Sequence, residues 1–171
     1  YQLRGFDIAN MTIIEGKTGW ILVDPLTAPE TSSAALAFAR QHLGNKPVSA
    51  VVLTHAHADH FGGVLGVVTP KEVAERKIPI VAPIGFLEEA TSENIMVGTA
   101  MARRSLYQFG RDLPRNAKGN VDTGLGKDVA YGSIGIIPPN LLIEKPTQPT
   151  TLDGVNFVFY TVPGAECAAE M

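Results

Sequence analysis

The chain has 171 residues, 45% hydrophobic and 18% charged, with a net charge of −3 from 14 basic and 17 acidic side chains. That balance describes one globular domain with a real core and excludes a disordered chain; no basic stripe appears, so no nucleic-acid partner is expected. The single Cys167 excludes an internal disulfide and a Cys-rich zinc finger, and no apolar run approaches the roughly 20 residues that a membrane-spanning helix requires.

Ile8–Gly16 and Trp20–Pro25 are rich in β-branched residues, and Lys17-Thr18-Gly19 between them predicts a hairpin. In the following TAPETSSAALAFARQHLG, Ala35, Leu36, Ala39 and Leu43 recur at helical spacing, with Gly44 as a stop. Val48–Thr54 is short and almost wholly apolar, the pattern of a strand buried on both faces. A short helix is expected near Lys71–Arg76, then a strand over Ile78–Pro83, then a mostly helical, amphipathic stretch over Phe86–Phe109. From Gly110 to Pro149 glycine and proline dominate, and a loop of that length is usually functional or disordered. LLIEK and VNFVFYTV, with Asp153-Gly154 as the turn, predict a closing hairpin. Strands alternating with helices, together with hairpins, indicate a mixed α/β sandwich.

The segment THAHADHFGG follows the buried strand and holds three of the four histidines. Imidazole and carboxylate are ligand types that suit zinc. His55 and His57, two apart on a loop, can turn toward one metal, while the adjacent Asp59 and His60 fit a second. Such pairs lie about 3.5–4 Å apart and activate a bridging water. Asp59 is expected both as a ligand and as the catalytic carboxylate. Gly62 and Gly63 are expected to let the chain turn sharply away behind the ligands.

THAHADHFGG resembles the signature of the metallo-β-lactamase superfamily, which implies an αββα sandwich with metals at loop ends and two zinc ions per complete domain. WILVDP resembles that superfamily's second strand, and this implies that Asp24 supports the metal loop from behind; the alternative is a plain turn or cap residue. RGFDIANMTIIEG, SENIMVGTAMARRSLYQFG, GLGKDVAYGSIGIIPP and VPGAECAAEM together resemble the linear alkylsulfatases. That narrower resemblance implies hydrolysis of alkyl sulfate esters such as dodecyl sulfate, a homodimer as the full-length protein, and a bacterial periplasmic or secreted setting. A thioesterase or lactonase of the same superfamily is the competing enzyme, and a non-catalytic metal-binding module is the competing role for these residues alone. Most of the superfamily places a histidine after the Pro-Gly of the TVPGAE stretch. The alkylsulfatases use a carboxylate, which implies Glu166 as a ligand, with Glu170 as the competitor. A further acid and histidine are implied beyond Met171, so residues 1–171 are expected to form the incomplete N-terminal half of a catalytic domain, inactive alone.

For the substrate, Met96, Met101, Leu106, Tyr107 and Phe109 either line an apolar channel or form plain core. Arg103 and Arg104 either face a sulfate or lie on a solvated face. The loop Gly124–Lys127 could offer backbone N–H groups to an anion.

Overall fold

A computed structural model of the chain describes residues 1–162 and 164–171. Six strands form one sheet in sequence order: β1 (Gln2–Leu3), β2 (Met11–Glu15), β3 (Trp20–Val23), β4 (Val48–Val52), β5 (Ile80–Pro83) and β6 (Leu141–Ile143). The first three are antiparallel, and β3 through β6 run parallel. Parallel pairing requires crossovers, and these carry the helices. α1 (Pro29–Leu43) links β3 to β4; α2 (Ala58–Phe61) and α3 (Pro70–Arg76) link β4 to β5; α4 (Phe86–Thr91) and α5 (Gly98–Phe109) precede β6. A two-stranded sheet of β7 (Thr147–Leu152) and β8 (Val155–Tyr160) completes the set.

The layers follow from the period of two along each strand. Trp20 and Leu22, Val51 and Leu53, and Ile80 and Ala82 point to one face, where they form a buried cluster with Ala35, Leu36 and Ala39 of α1 and Phe86 of α4. The alternate residues Ile21, Ala50, Val52, Val81 and Ile143 point to the other face and pack with Leu152 and Phe159 of the hairpin. The result is helices, a central mixed sheet, then a second sheet. Both faces of β4 are covered, which is why VSAVV carries so little polar character.

The closing hairpin differs from its expected form. Its turn is Asp153-Gly154, with φ of 43° and 80°, the doubly left-handed geometry of a two-residue hairpin loop. A two-residue loop pairs its immediate neighbours, so Leu152 meets Val155 and the partner strand is the polar TQPTTL. Leu141–Ile143 instead adds to β5 in parallel, where its apolar side chains have a core to join. The amphipathic segment over Phe86–Phe109 is helical but interrupted by a π turn at Ser92–Met96, and α5 buries no residue completely.

Candidate metal centre

β3 and β4 end side by side, and the pairing of Val23 with Val52 sets Asp24 against Leu53 and Thr54. In parallel sheets the crevice beyond the carboxyl ends of the strands is the usual place for a ligand. Asp24 takes a left-handed φ of 55° and is buried, with its N–H on the Val52 carbonyl at 2.9 Å. Its carboxylate accepts the Thr54 N–H at 2.9 Å and the Thr54 hydroxyl at 2.8 Å. The same Oδ2 lies 2.8 Å from His60 Nδ1. Asp24 is thus a turn residue in backbone and a support for the His loop in side chain.

His55 is buried, with Nδ1 3.0 Å from Thr54 Oγ1. Because the Thr54 hydroxyl gives its own proton to Asp24, it must accept from His55 Nδ1–H. That fixes the tautomer and leaves the Nε2 lone pair facing His57 Nδ1 at 3.0 Å. Burial, then the nearby His60 and His57, lower the pKa of His55, which favours the neutral ring that ligates metals. Glu166 Oε1 lies 3.5 Å from His57 Nδ1. One donor atom each from His55, His57 and Glu166 lie within 4.8 Å of one another. Two imidazoles and a carboxylate converging on one point are a donor set that fits zinc.

Asp59 and His60, the two central residues of the single-turn α2, lie beside this trio. The His55 and His60 rings are 4.1 Å apart, and His60 Nε2 is 3.3 Å from Asp59 Oδ2. Burial alone would lower the pKa of His60, but the bonds to Asp24 and Asp59 outweigh it and raise it to about 10. Burial would likewise raise Asp59, and the bond to His60 outweighs it, so its carboxyl is held low. Two carboxylates around one imidazole give this corner a strongly cation-favouring field.

Residues 164–171 fold back on the end of β4, with Met171 N–H on the Thr54 carbonyl at 3.1 Å and Glu170 bridging His55. The Glu170 carboxylate accepts the N–H groups of Glu166 and Cys167 at 2.8 and 3.0 Å. It holds the turn from which Glu166 reaches His57. Pro163, part of the TVPGAE stretch, lies outside the described residues.

Gly62 and Gly63 are glycines for a reason other than the expected one. Their φ values of −61° and −86° suit any residue. A Cβ, however, would lie 2.2 Å from the Thr27 carbonyl and 2.1 Å from that of Pro25, so the His loop can close on the segment after β3 only without side chains there. The loop Gly124–Lys127 is not an open anion nest. Its N–H groups bond to Asp122, Thr123 and the Asp7 carbonyl. Among the described residues, Met96 in the Ser92–Met96 turn and Tyr107 of α5 are 79% and 86% exposed, Met101 and Phe109 are half-buried, and Arg103 and Arg104 are exposed. Two further residues carry weight that their local sequence did not announce. Asp7 is buried and accepts from Ile8, Thr27 and Ala130, and Glu93 places Oε1 3.5 Å from His57 Nε2.

Residues 4–159 match the metallo-beta-lactamase superfamily. The chain belongs to that superfamily. Over its whole length it is 47% identical to the alkyl/aryl-sulfatase BDS1 of Saccharomyces cerevisiae, covering 26% of it. It is 47% identical to a linear primary-alkylsulfatase of Pseudomonas sp., covering 25% of that protein. An (R)-specific secondary-alkylsulfatase of Pseudomonas sp. is 49% identical over 172 aligned residues, again with 26% of its length covered. The solved structure of the stereoselective inverting sec-alkylsulfatase Pisa1 from Pseudomonas sp. superimposes with a TM-score of 0.94 at 48% identity, over 99% of this chain and 27% of that one. The chain spans about a quarter of the length of the curated relatives it matches.

Proposed function

We propose that this chain is the metal-binding portion of a zinc-dependent hydrolase of alkyl sulfate esters, acting on dodecyl sulfate-like detergents to give an alcohol and sulfate. One observation carries the reading: the carboxylate that faces His55 and His57 is Glu166, in a chain 47–49% identical to proteins named alkylsulfatases. His55, His57 and Glu166 hold one zinc, and Asp59 and His60 contribute to a second, with ligands from the rest of the protein completing both. Zinc at such a centre supplies a Lewis acid and lowers the pKa of water toward neutrality. The chain's own part is to present the neutral His55 lone pair through the Thr54 bond, to hold His60 by Nδ1 on Asp24 so that its Nε2 gives up a proton when a cation binds, and to supply Asp59 as the carboxylate beside His60. The homodimeric state of the full-length protein belongs to the same proposal.

The superfamily signature alone leaves the reaction open, because one fold hosts many chemistries. The relatives favour sulfate esters over thioesters or lactones. The deciding experiment offers dodecyl sulfate and an acyl thioester in parallel to the intact protein carrying this chain, and measures sulfate and thiol release. Sulfate release alone is the expected result. Thiol release without sulfate would transfer the assignment to the thioesterases.

A further inference from the structure

Each histidine of the cluster presents one ring nitrogen to another ligand-type side chain of the cluster and the other to a partner of its own. His55 Nδ1 has the Thr54 hydroxyl and His60 Nδ1 has Asp24, at 3.0 and 2.8 Å. The third ring, His57, turns Nδ1 toward His55 Nε2 at 3.0 Å and Glu166 at 3.5 Å. Its Nε2 faces Glu93 Oε1 at 3.5 Å.

We infer that Glu93 is the positioning residue of His57, holding the Nε2–H tautomer so that the Nδ1 lone pair is available to the metal. The inference rests on the reading that His55, His57 and Glu166 hold zinc.

The proton count supports it. A neutral imidazole carries one N–H. Glu93, as a carboxylate, accepts. Without a metal the His57 proton has acceptors on both sides: His55 Nε2 at 3.0 Å and Glu166 Oε1 at 3.5 Å beside Nδ1, and Glu93 Oε1 beside Nε2. A cation held at Nδ1 leaves only Nε2 for the proton, where Glu93 receives it. Nδ1 is then a bare lone pair facing the bare Nε2 of His55 at 3.0 Å. Two lone pairs at that distance repel, and a cation shared between them removes the repulsion. With its proton on Nδ1 instead, His57 would satisfy His55 and leave the Glu93 carboxylate without a donor on this ring. The geometry therefore couples Glu93 to ligation: the carboxylate favours the tautomer that binds. Carboxylate–histidine–metal arrangements of this kind also raise ligand basicity and fix the ring plane.

The local backbone gives Glu93 this position. The i→i+5 bond from Val97 N–H to the Ser92 carbonyl, at 3.1 Å, makes Ser92–Met96 a π turn between α4 and α5. Such single-turn insertions are frequent at functional sites because they redirect a side chain without ending the helix. Glu93 is partly shielded, with 24% of its side chain exposed, beside a His57 side chain 25% exposed. Its carboxylate is not among the mutually close donors His55, His57 and Glu166, which argues for an outer partner rather than a ligand.

The test compares zinc affinity by chelator competition, and the visible absorption of the cobalt(II)-substituted form, in the intact protein and in E93Q, E93A, H57A and the exposed-carboxylate control E75Q. Melting temperature monitors folding, and E93Q supplies the answer if E93A folds poorly. The expected result is roughly 10–100-fold weaker zinc binding in E93A, an intermediate loss in E93Q, an altered cobalt spectrum in both, unchanged metal stoichiometry and an unchanged E75Q. The inference is overturned if E93Q and E93A bind zinc and cobalt as the parent does while H57A does not. Loss of a whole metal equivalent in E93Q would also overturn it, since Glu93 would then be a ligand. Undiminished metal in H57A would instead sink the underlying ligand assignment, a distinguishable failure.

Discussion

Asp24 Oδ2 sits 2.8 Å from His60 Nδ1, and the same carboxylate takes both protons that Thr54 can offer. One side chain at the end of β3 thereby fixes His60 directly and His55 through Thr54. The backbone bears a cost for this. Asp24 and Leu26 have φ of 55° and 66°, a region open to few non-glycine residues, with Asp among the more tolerant. Strain held at one point of a fold commonly marks a working site.

Replacing Asp24 should therefore loosen the metal without abolishing the fold. D24N keeps the size and the tolerance of a left-handed φ, but its amide nitrogen faces either Thr54 or His60 with a donor where an acceptor is needed. A loss of zinc affinity of roughly 10–100-fold is expected. D24A should add a stability loss of about 1–3 kcal/mol, because the partly buried Thr54 amide and hydroxyl lose their acceptor. Chelator competition and thermal melting of the intact protein separate the two effects. Wild-type zinc retention in D24N would remove Asp24 from the support of the loop.

Glu166 and Glu170 should divide into ligand and turn-holder. Glu166 is 65% exposed in its side chain and touches His57, so E166Q should weaken zinc retention with little change in melting temperature. Glu170 accepts two backbone N–H groups, and E170Q keeps one acceptor oxygen, so metal retention should fall less while the turn softens. Elemental analysis beside melting curves makes the comparison. Greater metal loss in E170Q than in E166Q would exchange the two roles.

How much of this was legible in the sequence depends on the range of the physics involved. The His55, His57, Asp59, His60 cluster is local chemistry at short spacing, visible without a fold. β3, β4 and α1 also showed, because an alternating or continuous apolar pattern survives in their burial. The partner of β8 did not show: the Asp153-Gly154 turn selects TQPTTL by proximity, against hydrophobic pattern, and sends LLI to another sheet. α5 carries an apolar stripe that covers no core among the described residues, so its pattern alone did not decide between core and channel. Glu93 was invisible because its approach to His57 depends on a π turn in a different crossover.

Gly63 shows how tightly the loop is held. A Cβ there would meet the carbonyl of Pro25 at 2.1 Å, that of Ala28 at 2.9 Å and the Cβ of Ser32 at 2.9 Å. Backbone cannot move aside as a flexible side chain can. G63A should lower stability by about 1–3 kcal/mol, the usual cost of overpacking, and should weaken zinc binding because Pro25 adjoins Asp24. The open position Gly98, where a Cβ meets nothing within 4 Å, supplies the control: G98A should leave both properties near wild type. Equal denaturation midpoints for G63A and wild type would refute the close-contact account.

Asp153 joins the two hairpins and should give the chain a distinct acid response. Its carboxylate accepts the Thr18 N–H and hydroxyl and the Gly19 N–H at 2.8–3.1 Å, and its carbonyl accepts the Lys17 N–H at 2.8 Å. The turn between β7 and β8 is thus fastened to the turn between β2 and β3. Slight burial would raise the carboxyl's pKa, but the Thr18 bonds outweigh it, so the folded value lies below the ordinary 3.8. The sign follows from linkage: the stabilisation is complete above the unfolded value and is lost as pH falls through the lower folded one. D153N preserves the left-handed turn, which Asn tolerates, removes the charge and sets an amide NH2 where one carboxylate oxygen accepts a backbone N–H. The stability gap between wild type and D153N should therefore be flat from about pH 7 to about pH 5 and should narrow below about pH 4, where the charge is lost from wild type as well. Because the carboxylate is near the surface, the gap should also shrink as salt is added. Urea unfolding across that pH range, at low and high ionic strength, measures it. A gap that stayed constant to about pH 2 would show that shape, not charge, makes the connection.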